Sequence, residues 1–199
     1  METLLLNSIW MTYNLCLGLI AVIVGWLAIK KSYFWLRIIF SFVWLLFIPN
    51  TLYILTDLIH LFKQLNMVGD GVKSLLVLQY ELLIVLAIML FICGLYPFEE
   101  FLTKILPKRK YLILALIIIN FVIGFGVVLG RVEQVNSWEV ITYTNKVVEA
   151  SIRVLTSFRS MMLAIFFGIM GNIIYFALKT RVLKYSYYIA KEVFKIRIK

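Results

Sequence analysis

Asn50, Tyr53, Asp57 and His60 follow one another at intervals of three, four and three residues in a chain that is mostly apolar. On a helix those intervals bring all four side chains to one face. At 1.5 Å of rise per residue the stripe runs about 15 Å, from Asn50 near the middle of a bilayer to His60 at its edge. A carboxylate beside an imidazole suits a general base with its relay, but the same pair suits the capped end of a helix at the water interface. Both readings stand. A zinc site has no support, because one histidine without paired cysteines is not a ligand set. Neither a metal nor a cofactor is expected.

Glu81 adds a second chemically unusual position. It lies about 10 Å inside an apolar stretch that starts at Ser74, where an ionised carboxylate needs a proton, a partner or a wet cavity. Asn120, Gly124 and Arg131 share a helix face further on, and Arg131 is the most economical partner for Glu81 or Asp57. Its guanidinium could equally hold a phosphate or carboxylate. Arg153 and Arg159 lie on the same side by the orientation argued below, so a phosphorylated lipid or polyisoprenoid headgroup is a sensible ligand.

These residues must be positioned by membrane-spanning helices. The 199 residues are 63% hydrophobic and 15% charged, with a mean hydropathy of +0.99, far from the balance of a soluble domain. The fold class expected is an all-α polytopic membrane protein. Five stretches are long enough to cross about 30 Å of hydrocarbon, at 7–29, 36–60, 74–96, 111–130 and 161–178. Pro49 falls inside the second, where its missing N–H predicts a kink, with Asn50 free to serve a released carbonyl or to face a ligand. Residues 141–160 carry Lys146, Glu149, Arg153 and Arg159 and read as an interfacial helix or an extension of the last span. The first apolar run begins with Glu2, has its lysines behind it, and reads as a retained anchor rather than a cleaved leader.

Orientation follows the basic residues at span ends. Fourteen of the twenty collect on one side: Lys30, Lys31 and Arg37, then Lys104 through Lys110, then the run from Lys179 to Lys199. Lys63, Lys73, Arg131, Lys146, Arg153 and Arg159 occupy the other. The N-terminus is therefore expected outside and the C-terminus in the cytoplasm. Residues 1–178 form one helical membrane domain. Residues 179–199 form a basic amphipathic tail, with Val182, Leu183, Tyr185, Tyr187, Tyr188, Ile189, Val193 and Phe194 between its charges, suited to an anionic leaflet. A net charge of +10 concentrated at span ends is not a nucleic-acid footprint. Glu99 and Glu100 read as the wet face of a short interfacial helix between Pro97 and Pro107.

Cys16 and Cys93 sit in apolar runs and read as ordinary buried cysteines. Asn136 or Ser137 could cap a following helix, and Trp138 suits headgroup depth. Gly168, Gly171 and Asn172 predict close helix packing, with Asn172 as a bridge. Phosphate loops, nucleophile elbows and dinucleotide fingerprints are lacking, and no inverted repeat is evident.

The run Phe47-Ile48-Pro49-Asn50-Thr51-Leu52-Tyr53, continuing through Thr56-Asp57-Leu58 and His60-Leu61, resembles the signature of a bacterial integral membrane family catalogued as domain of unknown function 1361. Gly130-Arg131 followed by Asn136-Ser137-Trp138-Glu139 resembles its second motif. The family pattern often has a further basic residue between these two groups, where this chain has Glu133 and Gln134. The resemblance implies a multi-pass protein of the bacterial plasma membrane. It brings no activity, but it marks Pro49, Asn50, Tyr53, Thr56, Asp57, His60, Arg131, Asn136 and Trp138 as distinctive positions.

The leading functional expectation is an outer-leaflet polar cavity that recognises a lipid-linked or anionic headgroup, in an accessory subunit of an envelope assembly. Its ligand-binding residues would be Asn50, Tyr53, Asp57, His60, Glu81, Arg131, Asn136, Trp138, Arg153 and Arg159. A lipid-modifying enzyme would use Asp57 or Glu81 as acid or base, His60 as relay and Arg131 against developing charge. A small-solute or ion transporter would need a polar path reaching the other half, for which only Asn120 and Asn172 are candidates. The partners expected are membrane lipids, with a membrane-protein partner or a second copy as further possibilities, and not nucleic acid.

Overall fold

The computed structural model describes residues 2–30, 33–106 and 108–196, with side chains followed as far as residue 188. Lys31, Pro107, the side chains of Ile189, Lys191, Val193, Phe194 and Lys195, and residues 197–199 lie outside the described residues. The described chain is helical, running α1 (Glu2–Lys30), α2 (Phe34–Phe47), α3 (Pro49–Tyr53), a 3-10 turn (Ile54–Asp57), α4 (Leu58–Leu65), α5 (Asp70–Ile105), α6 (Arg109–Arg131), α7 (Glu139–Thr142), α8 (Thr144–Thr156) and α9 (Phe158–Ile196).

Five helical stretches are long and apolar enough to cross a membrane: Thr3–Lys30, Phe34–Leu65, Asp70–Ile105, Arg109–Arg131 and Phe158–Tyr188. They coincide with the five expected from hydropathy. The second is assembled from α2, α3, the 3-10 turn and α4, and it forms the middle of the bundle. On one side α1 packs against α2 and α5; on the other α6 packs against α9, with α3 touching α1, α5 and α6.

Helices in lipid gain little by hiding apolar surface from one another, so close approach and buried polar pairs must hold them together. Gly124 of α6 supplies such an approach, since a Cβ there would stand 2.5 Å from the Ala164 carbonyl and 2.6 Å from the Gly168 nitrogen of α9. One turn away, Asn120 donates to Asn172 Oδ1 at 2.9 Å, and Asn172 donates to the Gly168 carbonyl at 2.9 Å. Asn172 thus bridges helices as expected. Ile48, Leu52, Phe91, Leu95, Ile123, Val127 and Tyr175 fill the centre and are fully or almost fully buried.

One expectation about the opposite end of the bundle needs correction. No separate helix begins at Pro97; α5 runs through it to Ile105. Tertiary contacts hold this segment helical: Phe98 stacks on Trp44 at 5.0 Å, and Glu99 binds Lys179 Nζ at 2.8 and 2.9 Å and the Tyr175 hydroxyl at 2.5 Å. Glu99 is therefore a largely covered helix tie rather than a wet face, while Glu100 is partly exposed beside Lys104. The tail from residue 179 continues α9 without a break, and Val182 and Leu183 pack against the core while Tyr185, Tyr187 and Tyr188 are exposed. Residues 144–156 form the amphipathic α8, which buries Ala150 and Val154 against α6 and α9.

Candidate functional site

The site begins in the second span where α2 gives way to α3. Pro49 has no N–H to donate to the Leu45 carbonyl one turn back. The next three carbonyls each accept from a side chain, that of Ile48 also from the Thr51 N–H at 3.1 Å. Ser137 Oγ donates to the Leu46 carbonyl at 2.8 Å, Asn50 Nδ2 to Phe47 at 3.0 Å, and Thr51 Oγ1 to Ile48 at 2.7 Å. Asn50 Nδ2 also reaches Ser137 Oγ at 3.1 Å. The loop after α6 is thereby pinned to the second span. Neither Asn136 nor Ser137 caps α7, whose first turn has no side-chain cap; the Leu46 carbonyl of the second span takes the Ser137 hydroxyl instead.

That loop leaves α6 through Gln134, whose φ of 53° lies in the left-handed region, and Val135 N–H returns to the Leu129 carbonyl at 3.0 Å. This is the pattern of a helix closed by a left-handed residue. The closure sets Arg131 at the last turn of α6, facing the 3-10 turn of the second span.

Arg131 is the centre of the cluster. Its Nη1 donates to the Tyr53 hydroxyl at 3.2 Å and to Asp57 Oδ1 at 3.3 Å; its Nη2 lies 3.2 Å from His60 Nε2. The guanidinium also stands 5.3 Å from the Tyr53 ring centre. A guanidinium can only donate, so His60 Nε2 accepts and the ring proton sits on Nδ1. Asp57 is buried, and Asn14 Nδ2 takes its second oxygen at 3.3 Å. With both oxygens engaged, Asp57 is a held counter-charge for Arg131.

Of the four residues in the stripe, Tyr53, Asp57 and His60 converge on Arg131. Asn50 turns to Ser137. Asn50 and Tyr53 share α3, but the Asn50 amide is taken by the Phe47 carbonyl and Ser137 Oγ on the side of the loop after α6. Glu81 is not brought to Arg131: on α5 its neighbour Tyr80 points inward, and Glu81 is exposed with no hydrogen bond or ion pair among the described residues. Arg153 pairs with Glu133 at 2.6 Å. Arg159 is exposed at the start of α9, and Trp138 is 43% exposed beside the loop.

A polar ladder that sequence reading missed continues from this cluster toward the end of the bundle. Trp10 meets the His60 ring edge-on at 6.2 Å and donates to Asn7 Oδ1 at 3.1 Å. Asn7 and Gln64 exchange amide hydrogen bonds at 2.8 and 3.0 Å, and Tyr80 donates to Gln64 at 3.3 Å. The signal was present in the first span, where Asn7, Trp10 and Asn14 recur at three and four residues within an apolar run. Across the loop, Glu139 accepts from Lys146 Nζ at 2.6 Å and from the Asn136 N–H at 2.7 Å. The bond to Lys146, then that to Asn136, holds the Glu139 carboxyl below its ordinary value of 4.5.

Three hollows meet at Tyr53. One of 290 Å³ is lined by Trp10, Asn14, Asp57, His60, Gln64 and Arg131, and one of 510 Å³ by His60, Gly130, Arg131, Gln134 and Asn136. The third, of 180 Å³, is an apolar groove between α2–α3 and α6, running from Gly130 and Asn136 down past Phe125 to Val122. Among the described residues no three of His, Cys, Asp and Glu gather as metal ligands.

No curated protein and no solved structure matches the chain. The family described as "Protein of unknown function (DUF1361)" matches residues 13–174, a stretch that contains Arg131 and both motifs. The chain belongs to that family of bacterial multi-pass membrane proteins.

Proposed function

We propose that this protein recognises a membrane lipid, with the hollows around Arg131 taking the headgroup and the groove below Tyr53 taking part of a chain. One observation carries the reading: a cation with donors to spare stands where polar hollows and an apolar groove share a wall. Of five guanidinium N–H groups, three are used among the described residues. From Val122 to Gly130 the groove spans eight residues of α6, about 12 Å or nearly one leaflet's hydrocarbon.

The bend that opens the groove is taken to start at Pro49, and the Arg131 end to face outward. The placement of fourteen of twenty basic residues at the other end supports that orientation. Residues 1–178 then act as one membrane domain, and the basic extension from 179 meets the cytoplasmic leaflet. In such a design Asp57 and His60 orient Arg131, and the protein serves an envelope assembly by holding a lipid.

Native mass spectrometry of protein released from mild detergent tests this reading. The wild type retains a bound lipid; Arg131→Gln, which removes the cation, and Val122→Trp, which fills the groove from its exposed rim, both lose it. Wild-type occupancy in both folded variants would overturn the proposal.

A further inference from the structure

Resting on that lipid reading, we infer that the headgroup is a phosphodiester carrying one negative charge, not a phosphomonoester or diphosphate. Charge comes first. Each cation bordering the hollows and the loop beside them already has its own carboxylate: Arg131 has Asp57 at 3.3 Å, Lys146 has Glu139 at 2.6 Å, and Arg153 has Glu133 at 2.6 Å. The six basic residues of this end are matched by six acidic ones before Glu2 is counted. A dianion would enter with no surplus positive field to meet it, whereas a monoanion needs only the local pull of one guanidinium.

Donor geometry agrees. Arg131 keeps two N–H groups unspent among the described residues, matching the two non-bridging oxygens of a phosphodiester. The Tyr53 hydroxyl accepts from Arg131 and keeps its own proton to donate. The exposed amide of Asn136 stands on both the wider hollow and the groove, where an ester oxygen would pass from headgroup to chain. A phosphomonoester offers a third peripheral oxygen and a second charge, and no further cation lines the hollows to take them.

The test is a competition at pH 7.5, read by native mass spectrometry of the full chain. Equimolar phosphatidylglycerol, phosphatidic acid of the same chains, a polyprenyl phosphate and diacylglycerol are offered together, and soluble glycerophosphoglycerol is offered separately. Phosphatidylglycerol is expected to be retained at least tenfold over phosphatidic acid and polyprenyl phosphate. Arg131→Lys, which keeps the charge and loses the two-pronged edge, should bring that ratio near one. Retention of either monoester at or above phosphatidylglycerol, still lost in Arg131→Gln, overturns the phosphodiester inference and leaves the lipid reading standing. Retention no better than diacylglycerol for every lipid, unchanged by Arg131→Gln, overturns both. Glycerophosphoglycerol binding as tightly as the lipid makes the ligand a soluble phosphodiester and removes the groove from the site.

Discussion

Arg131 at the end of α6 and Asp57 in the 3-10 turn of the second span face one another at 3.3 Å, the carboxylate side chain 4% exposed and the guanidinium side chain 26%. The pair is lopsided, and its two halves should fail unequally. Arg131→Gln strands a buried carboxylate with only Asn14 beside it, at about 2–3 kcal/mol after allowing for the partly wet arginine. Asp57→Asn leaves a cation that can turn to water, at about 1 kcal/mol. Thermal unfolding in micelles should rank Arg131→Gln as the more damaging; the reverse order would contradict this account of the pair.

Asn50 ties the second span to the loop after α6, giving one proton to the Phe47 carbonyl and one to Ser137. Asn50→Ala leaves that carbonyl without its side-chain donor in a membrane interior. We expect a loss of about 1–3 kcal/mol. Hydrogen exchange should rise at residues 134–138 as well as near Asn50, and protection unchanged in that loop would show that the tie does not hold it.

Gly124 lets α6 lie backbone to backbone against α9, so close that a methyl carbon at this position would stand 2.5 Å from the Ala164 carbonyl. Because that neighbour is main chain, the helices must separate to admit Gly124→Ala. The expected cost is about 1–3 kcal/mol of stability, together with loss of the Asn120–Asn172 bond. Gly69 meets nothing within 4 Å of such a carbon, so Gly69→Ala is the matched control and should lack this steric cost.

Glu139 sits outside the spans with its carboxyl held below 4.5, first by Lys146 and then by the Asn136 N–H. A depressed folded value means that the unfolded chain binds a proton more readily, so the contribution is present above pH 4.5 and is lost as acid protonates the folded form. Melting temperature measured from about pH 6 down to about 3 should fall less steeply in Glu139→Gln than in the wild type. Parallel curves would mean the clasp adds nothing.

Hydropathy made all five spans legible, and the 3.6-residue period found the three side chains that converge on Arg131. What it could not supply was that the Phe47 carbonyl and the distant Ser137 would take the Asn50 amide and part it from its companions. Pro97 misled for a related reason: proline lowers the odds of helix locally, but Glu99 and Phe98 gain partners on α9 and α2 only if α5 continues. Glu81 was read by depth alone, and depth says nothing about which way a residue faces. Ser137 was read as a cap, its nearest use, when the carbonyl it serves lies 91 residues away.

The ladder joining α1, α4 and α5 through Asn7, Gln64 and Tyr80 is built from amides and a phenol. None of these changes charge over the range of acidity a bacterium meets, and none is weakened by dissolved salt as an exposed ion pair would be. The clasp at the end proposed to face outward is therefore indifferent to brine, rain or acid, and keeps the Arg131 cluster in register while the medium beyond it varies.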